Sequence, residues 1–290
     1  MQKYTVKTSG ALLPTLQTGF PDFTRTKIKQ LLKYGAIAVN DRVRTKHDFA
    51  LQPGDRISIH PAERKIKEDV PLSFPLLYED EELLVIDKPP GLLTMGTDKE
   101  RMRTAYFQLT EYMRSKSRSG KGRIFIVHRL DRDASGVLVF AKTEEIKVKL
   151  QEDWGKAEKK YYAIVEGKPK KAEDEIESFL TEDKFRRVYS THKSATSKLA
   201  VTKYRVLKSG AKFSLLEVSI LTGRKNQIRV HLADLGHPIV GDKKYKSTAD
   251  PARRLGLHAF SLEFDHPRTG QKTTFTSEMP KILKQLVDRF

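Results

Sequence analysis

The chain has 290 residues, more than one average domain needs, with 55 lysines and arginines against 37 aspartates and glutamates and a formal net charge of +18, a field suited to holding a polyanion. It contains no cysteine, which excludes disulfides, thiolate zinc sites and a cysteine nucleophile and fits a reducing compartment. No apolar run approaches the roughly 20 residues that cross a bilayer, and the N-terminal MQKYTVKTSGALLPTLQTGF lacks the apolar core of a secretory leader, so we read a cytoplasmic, monomeric protein with nucleic acid as its leading partner.

Residues 1–62 form the first block. Thr24 can cap a helix that starts at Arg25, buries Ile28, Leu31 and Leu32, and stops at Gly35. Arg25, Lys29 and Lys33 recur every four residues and share a stripe away from the apolar side. Ile37 and Val39 then read as a strand, Asn40-Asp41 as a turn, Val43 as the start of a return strand, Gln52 to Asp55 as a second turn, and Ile57 and Ile59 as a further strand. A charge stripe is ordinarily a solvated face. The run TRTKIKQLLKYGAIAVNDRVRTKHDFALQPGDRISI, however, resembles the alpha-L RNA-binding motif of ribosomal small-subunit protein four. That resemblance implies RNA contact by Arg25, Lys27, Lys29, Lys33, Arg42 and Arg44, through phosphates whose condensed counterions each cation displaces.

Residues 63–75 are charged, proline-bounded and without periodicity, and read as a linker to a second domain over 76–290. There, Leu83 to Ile86 is an apolar strand turned sharply by Asp87-Lys88-Pro89-Pro90-Gly91, residues 104–114 are helical, and Ser115 to Arg123 is a basic loop. The loop leads into His128-Arg129-Leu130-Asp131, continued by Arg132, Asp133, Ala134, Ser135 and Gly136, and then into the buried strand Val137 to Ala141. A carboxylate among arginines has its charged form favoured, which suits a nucleophile or electrostatic stabiliser. Read alone, the turn is more commonly a structural Asp–Arg closure.

Thr143 caps a helix expected over 144–154, Tyr161 to Glu166 alternates as a strand, and Val201 to Val206 and Leu215 to Ile220 supply two more. Residues 168–198 show charge without pattern and suggest no chemistry. Gln227 to Leu235 reads as a helix with Ile228, Leu232 and Leu235 on one face and Gly236 as its stop. Strands outnumber helices in hairpin-like order, so the expected class is α+β: a catalytic domain on a mixed, mainly antiparallel sheet, preceded by a small α+β RNA-binding domain.

HRLDRDASG resembles the signature of the RluA-type pseudouridine synthases. DKPPGLLT at 87–94, KKYYAIVEG at 159–167 and LTGRKNQIRVHLADLGHPIVGD at 221–242 follow in the family's order. The resemblance implies isomerisation of uridine to pseudouridine in ribosomal or transfer RNA, with no metal, redox or nucleotide cofactor. It assigns Asp131 as the catalytic carboxylate, Arg229 as its cationic partner and Tyr161 as the ring that stacks on the target base and assists proton removal at carbon 5. Arg129 takes the position that inserts into RNA as the base leaves its stack. Read without the resemblance, Arg229 is a surface cation and Tyr161 a core aromatic.

Three departures stand out: Ala134 for threonine, Lys225-Asn226 for Thr-His, and Lys246 for glycine. No Walker-type phosphate loop, HExxH or GxSxG occurs, and His128, His231, His237 and His258 form no zinc spacing. The alternative is a noncatalytic RNA-binding or ribosome-assembly factor on the same scaffold. Joint retention of Asp131, Tyr161 and Arg229 speaks against it, since binding alone gains nothing from a carboxylate facing a polyanion.

Overall fold

A computed structural model describes residues 2–33, 35–59, 72–98, 100–117 and 122–290. The chain divides into two compact units, Met1–Glu68 and Asp69–Phe290. Most of the expected linker and part of the basic loop at 115–123 lie outside the described residues.

The first unit contains β1 (Gln2–Thr5), β2 (Gly10–Ala11), α1 (Leu12–Gly19), α2 (Arg25–Lys33), β3 (Ile37–Val39), β4 (Arg42–Val43), β5 (Ala50–Leu51) and β6 (Arg56–Ile59). Its main sheet runs β1-β6-β3-β4, and β2 pairs with β5. Thr24 Oγ1 accepts the Lys27 N–H at 3.2 Å, the helix cap read from the sequence. Asn40 and Asp41 both have positive φ, 49° and 62°, the backbone a two-residue hairpin turn requires. Helix α1 is not anticipated by the sequence reading, yet its Leu12, Leu13 and Leu16 join Ile28, Leu32 and Ile57 in one core. Its proline and absent polar cap mask a helix held by tertiary burial.

The second unit carries β7 (Leu76–Glu79), β8 (Leu83–Lys88), α3 (Ala105–Lys116), β9 (Phe125–Ile126), β10 (Ser135–Ala141), α4 (Glu144–Glu152), β11 (Glu158–Glu166), β12 (Glu173–Glu182), β13 (Val188–Thr191), β14 (Lys198–Ser209), β15 (Phe213–Ile220), α5 (Gln227–Asp234), β16 (Leu257–Asp265), β17 (Lys272–Thr276) and α6 (Lys281–Asp288). One sheet of eleven strands runs β13-β12-β14-β15-β11-β16-β10-β8-β7, with β17 beside β16 and β9 beside β10. Its pairs are antiparallel except β10 with β16, so the α+β class on a mixed, mainly antiparallel sheet holds.

Strands β8 and β10 lie near the β7 edge of the sheet and are covered on both faces. Leu84, Ile86, Leu138 and Phe140 pack on the side of Leu109 and Ile228, whereas Leu83, Val85, Val137 and Val139 pack on the side of Ile146 and Leu150. Double burial makes both strands read as unbroken apolar runs. Gly136 has φ +116°, and a Cβ there would meet the Ala259 carbonyl oxygen at 2.1 Å, so only glycine lets β10 begin against β16.

Two expectations need correction. Residues 168–198, read as charge without an apolar pattern, form β12 and β13: β12 pairs with β13 and β14 and keeps its Glu side chains in water while Ile176 and Leu180 pack against apolar neighbours. Leu235 is 38% exposed and lies past the end of α5. Helix α5 itself is buried from Gln227 to Leu232, including at Gln227, Arg229 and His231.

Candidate active site

The loop from His128 to Ala134 enters β10 and is pinned from several directions. The His128 ring lies 4.6 Å from Trp154, and its Nε2 accepts the Val139 N–H at 3.2 Å. Burial, with the Lys159 ammonium adding to it, pushes this imidazole down to about 3, so it is neutral and structural. Thr94 Oγ1 donates to Leu130 O at 3.1 Å and accepts the Leu130 N–H at 3.3 Å. The Gly91 N–H donates to Arg132 O at 2.9 Å.

Lys88, at the end of β8, is wholly buried. Its Nζ donates to Pro89 O, Leu92 O and Arg132 O at 2.9, 2.8 and 3.0 Å. Burial pushes the ammonium down to about 7, against the pull of Asp133 and Asp131. Three carbonyl acceptors use all three of its protons, an arrangement that only the charged form supplies. The stretch at 87–94 is therefore a brace under the loop that bears Asp131.

The first turn of α5 delivers the partners of that aspartate. Gln227 Oε1 accepts the Arg224 N–H at 3.0 Å and its Nε2 donates to Val201 O at 2.9 Å, fixing the helix entry. Arg229 Nη1 donates to Asp131 Oδ2 at 3.2 Å. Its stronger tie is to Asp242, fully buried, whose two oxygens accept from Nε at 2.7 Å and Nη2 at 2.8 Å. Burial opposes the guanidinium charge, but the Asp242 hydrogen bonds and the two carboxylates more than offset it and hold Arg229 protonated above the ordinary arginine range. Asn226 sits in left-handed backbone, φ 55°, at the N-cap of α5. With its amide nitrogen toward the aspartate it donates to both Asp131 oxygens at 3.0 and 2.9 Å, while its oxygen accepts from Tyr245 Oη at 2.9 Å; the acceptor-only carboxylate selects this orientation, since the Tyr245 hydroxyl can pair with either end of the amide.

Asp131, Tyr161, Arg229 and Asp242 line one cavity of about 2100 Å³, larger than a typical small-ligand pocket. Arg101, Arg129, Arg132, Lys225 and Lys244 add a cationic lining. Tyr161 is almost entirely covered, and burial, followed by the Asp131 charge, raises its hydroxyl above the ordinary phenol range. Arg129 is exposed, and its Nη1 donates to Met95 Sδ at 3.9 Å. Among the described residues no three acidic or imidazole groups converge as a metal ion would need.

The remaining residues expected to bind RNA are in the first unit. Arg25, Lys27, Lys29 and Arg42 are exposed. Arg44 is half-buried with its guanidinium carbon 4.4 Å from the Phe49 ring centroid and its Nε without a hydrogen-bond partner. The Lys33 side chain lies outside the described residues. The sequence reading does not assign roles to Asn226, Asp242, Tyr245 or Lys88. Asn226 stands out there only as a departure, and Asp242 only as the end of a quoted stretch, because their partners lie far away along the chain.

This arrangement of a braced aspartate, a buried arginine and a covered tyrosine on a mixed sheet accompanies a sequence match. The chain belongs to the RNA pseudouridylate synthase family, whose model matches residues 82–234, and its class is therefore pseudouridine synthase of the RluA type. An RNA pseudouridine synthase of Aquifex aeolicus is 34% identical over 288 residues, covering 93% of this chain and 90% of that protein. One from Bacillus subtilis is 32% identical, covering 92% and 89%. Ribosomal large subunit pseudouridine synthase D of Haemophilus influenzae is 28% identical, covering 94% and 89%. The fold resembles that of human RNA pseudouridylate synthase domain containing 4, with a TM-score of 0.61 at 24% identity over 74% of this chain and 92% of that one.

Proposed function

We propose that the protein converts uridine to pseudouridine in ribosomal RNA in the cytoplasm, with Asp131 as the carboxylate that acts on the nucleotide. One observation carries the reading: Asp131, 23% exposed, opens onto a basic cavity while Arg229 and Asn226 hold its oxygens from behind. The relatives named for the ribosomal large subunit support the choice of ribosomal RNA.

The reaction breaks the bond between ribose C1′ and uracil N1, turns the base, forms C1′–C5, releases the proton from carbon 5 to solvent and takes up one proton at N1, so the product is an isomer of the substrate. Asp131 serves either by adding to the nucleotide or by removing a ribose proton. Tyr161 stays a phenol at neutral pH, because burial and the adjacent carboxylate both oppose its ionisation. This favours ring stacking over service as a base. Arg129, exposed at the cavity rim, fills the space the base vacates. The first unit adds affinity through Arg25, Lys27, Lys29, Lys33, Arg42 and Arg44.

Tritium release from carbon-5-labelled uridine, in large-subunit ribosomal and transfer RNA transcripts, tests these roles. Asp131→Asn keeps size and packing and is expected to abolish release from ribosomal RNA without changing RNA affinity. Tyr161→Phe is expected to stay within about 10-fold of wild type while Tyr161→Leu falls far below it, since only the latter loses the ring. Appreciable release by Asp131→Asn removes the carboxylate from its role, and release from transfer RNA alone removes the substrate assignment.

A further inference from the structure

The hairpin of β12 and β13 has no part in the chemistry above, yet its tip stands at the cavity rim. Leu180 and Val188 are buried in a small core with Val230 of α5 and Tyr245, so the hairpin is seated on the elements that hold Asp131. Lys244 Nζ donates to Arg186 O at 3.0 Å, and Lys225 pairs with Glu182. Glu182 and Arg186 themselves line the cavity.

The five-residue connection, 183–187, is braced internally. Asp183 Oδ1 accepts the N–H groups of Phe185 and Arg187, both at 2.8 Å. Its backbone N–H donates to Arg187 O, and its carbonyl accepts from Arg186 N–H, both at 2.9 Å. This hydrogen-bonded loop presents Phe185 with 79% of its surface in water, the greatest exposure of any large apolar side chain among the described residues. Lys184 Nζ lies 5.1 Å from the ring centroid, and Arg186 and Arg187 follow directly in the chain. The nearby carboxylates are already engaged, Asp183 by the loop's own amides and Glu182 by Lys225, which leaves an aromatic face with Lys184 beside it on a loop that also carries Arg186 and Arg187, the latter with its guanidinium carbon 6.0 Å from the Tyr245 ring centroid. An apolar protein partner gains little from such a setting. An unpaired nucleobase offers a π face for the ring and flanking phosphates for the cations.

We propose that Phe185 is a stacking platform for an unpaired base near the target uridine, with Lys184, Arg186 and Arg187 taking the adjacent phosphates. The inference rests on the RNA-modifying reading above and adds a contact that fixes which substrates fit. It predicts that Phe185→Ala raises KM for an RNA substrate roughly 10-fold or more with kcat nearly unchanged, since stacking on a flanking base serves binding rather than the chemical step. Phe185→Leu, which keeps apolar bulk but no π face, stays impaired, and Phe185→Trp restores affinity. In the full-length protein carrying both Phe185→Trp and Asp131→Asn, single-stranded RNA quenches the new indole beyond the change seen for Trp154 in Asp131→Asn alone. Equal KM for wild type and Phe185→Ala, or full rescue by leucine, overturns the platform while leaving the enzymatic reading intact. If wild type itself releases no tritium from RNA, it is the enzymatic reading that fails.

Discussion

Asp131 is aimed by two residues of unlike kind. Arg229 is shared with the fully buried Asp242, to which it makes two shorter bonds than the one it spares for Asp131. Removing this arginine therefore strips a buried carboxylate of its counter-ion, at a cost of about 3–5 kcal/mol, and confounds stability with chemistry. Asn226 gives the cleaner test, because both its hydrogen bonds to Asp131 depend on the amide orientation that the acceptor-only carboxylate selects, in which Tyr245 Oη donates to the amide oxygen. Hydrogen bonds to a charged group contribute about 1.5–3 kcal/mol, so Asn226→Ala is expected to lower kcat on the order of 10- to 100-fold with KM held. Tyr245→Phe alone costs several-fold, but little more in the Asn226→Ala background, because it acts through that amide. Single-turnover rates for the four proteins of this cycle decide the point: independent, multiplying losses mean that Tyr245 does not work through Asn226.

At the scale of elements, the site depends on a loop whose geometry is imposed by its neighbours. Strand β8 ends on Lys88, which ties the 89–92 turn to Arg132 next to the aspartate. Lys88→Met keeps most of the aliphatic bulk but removes the donor to three carbonyls, of which Arg132 O keeps the Gly91 N–H, with an expected loss of about 2–4 kcal/mol. For a unit of this size that lowers Tm by roughly 5–15 °C. Activity measured well below the new Tm should fall as well, because the loop loses its anchor. A variant that melts with wild type and turns over normally would leave Lys88 as buried bulk only.

On the scale of the molecule, chemistry is built into one compact unit and the exposed cations of α2 and β4 into the other. If the first unit supplies phosphate contacts, the chain from Asp69 to Phe290 binds RNA more weakly and with a shallower slope of log affinity against log salt, each lost contact removing about 0.9 from the slope on duplex. Circular dichroism of the truncated protein establishes that the second unit is folded. An unchanged salt slope counts against the basic-stripe reading.

What the sequence by itself determined is what depends on neighbours in the chain. The cap at Thr24, the turn at Asn40-Asp41, the apolar runs of β8 and β10 and the end of α5 before Gly236 are legible there, because capping, turn conformation and burial periodicity act over a few residues. Asp131, Tyr161 and Arg229 become candidates there only through the family resemblance, since residue type and spacing alone leave Arg229 a surface cation and Tyr161 a core aromatic. Only the tertiary structure decided what depends on long-range pairing. The charged segment 173–182 becomes a strand because β13 and β14 pair with it and because Ile176 and Leu180 find apolar neighbours far away in the chain. Asp242 reaches Arg229 across a turn, and Lys88 reaches Arg132 across 44 positions. Asn226 passes from a sequence oddity to a partner of Asp131 once α5 is set beside β10, since a hydrogen bond extends about 3 Å in space and has no fixed separation along a chain.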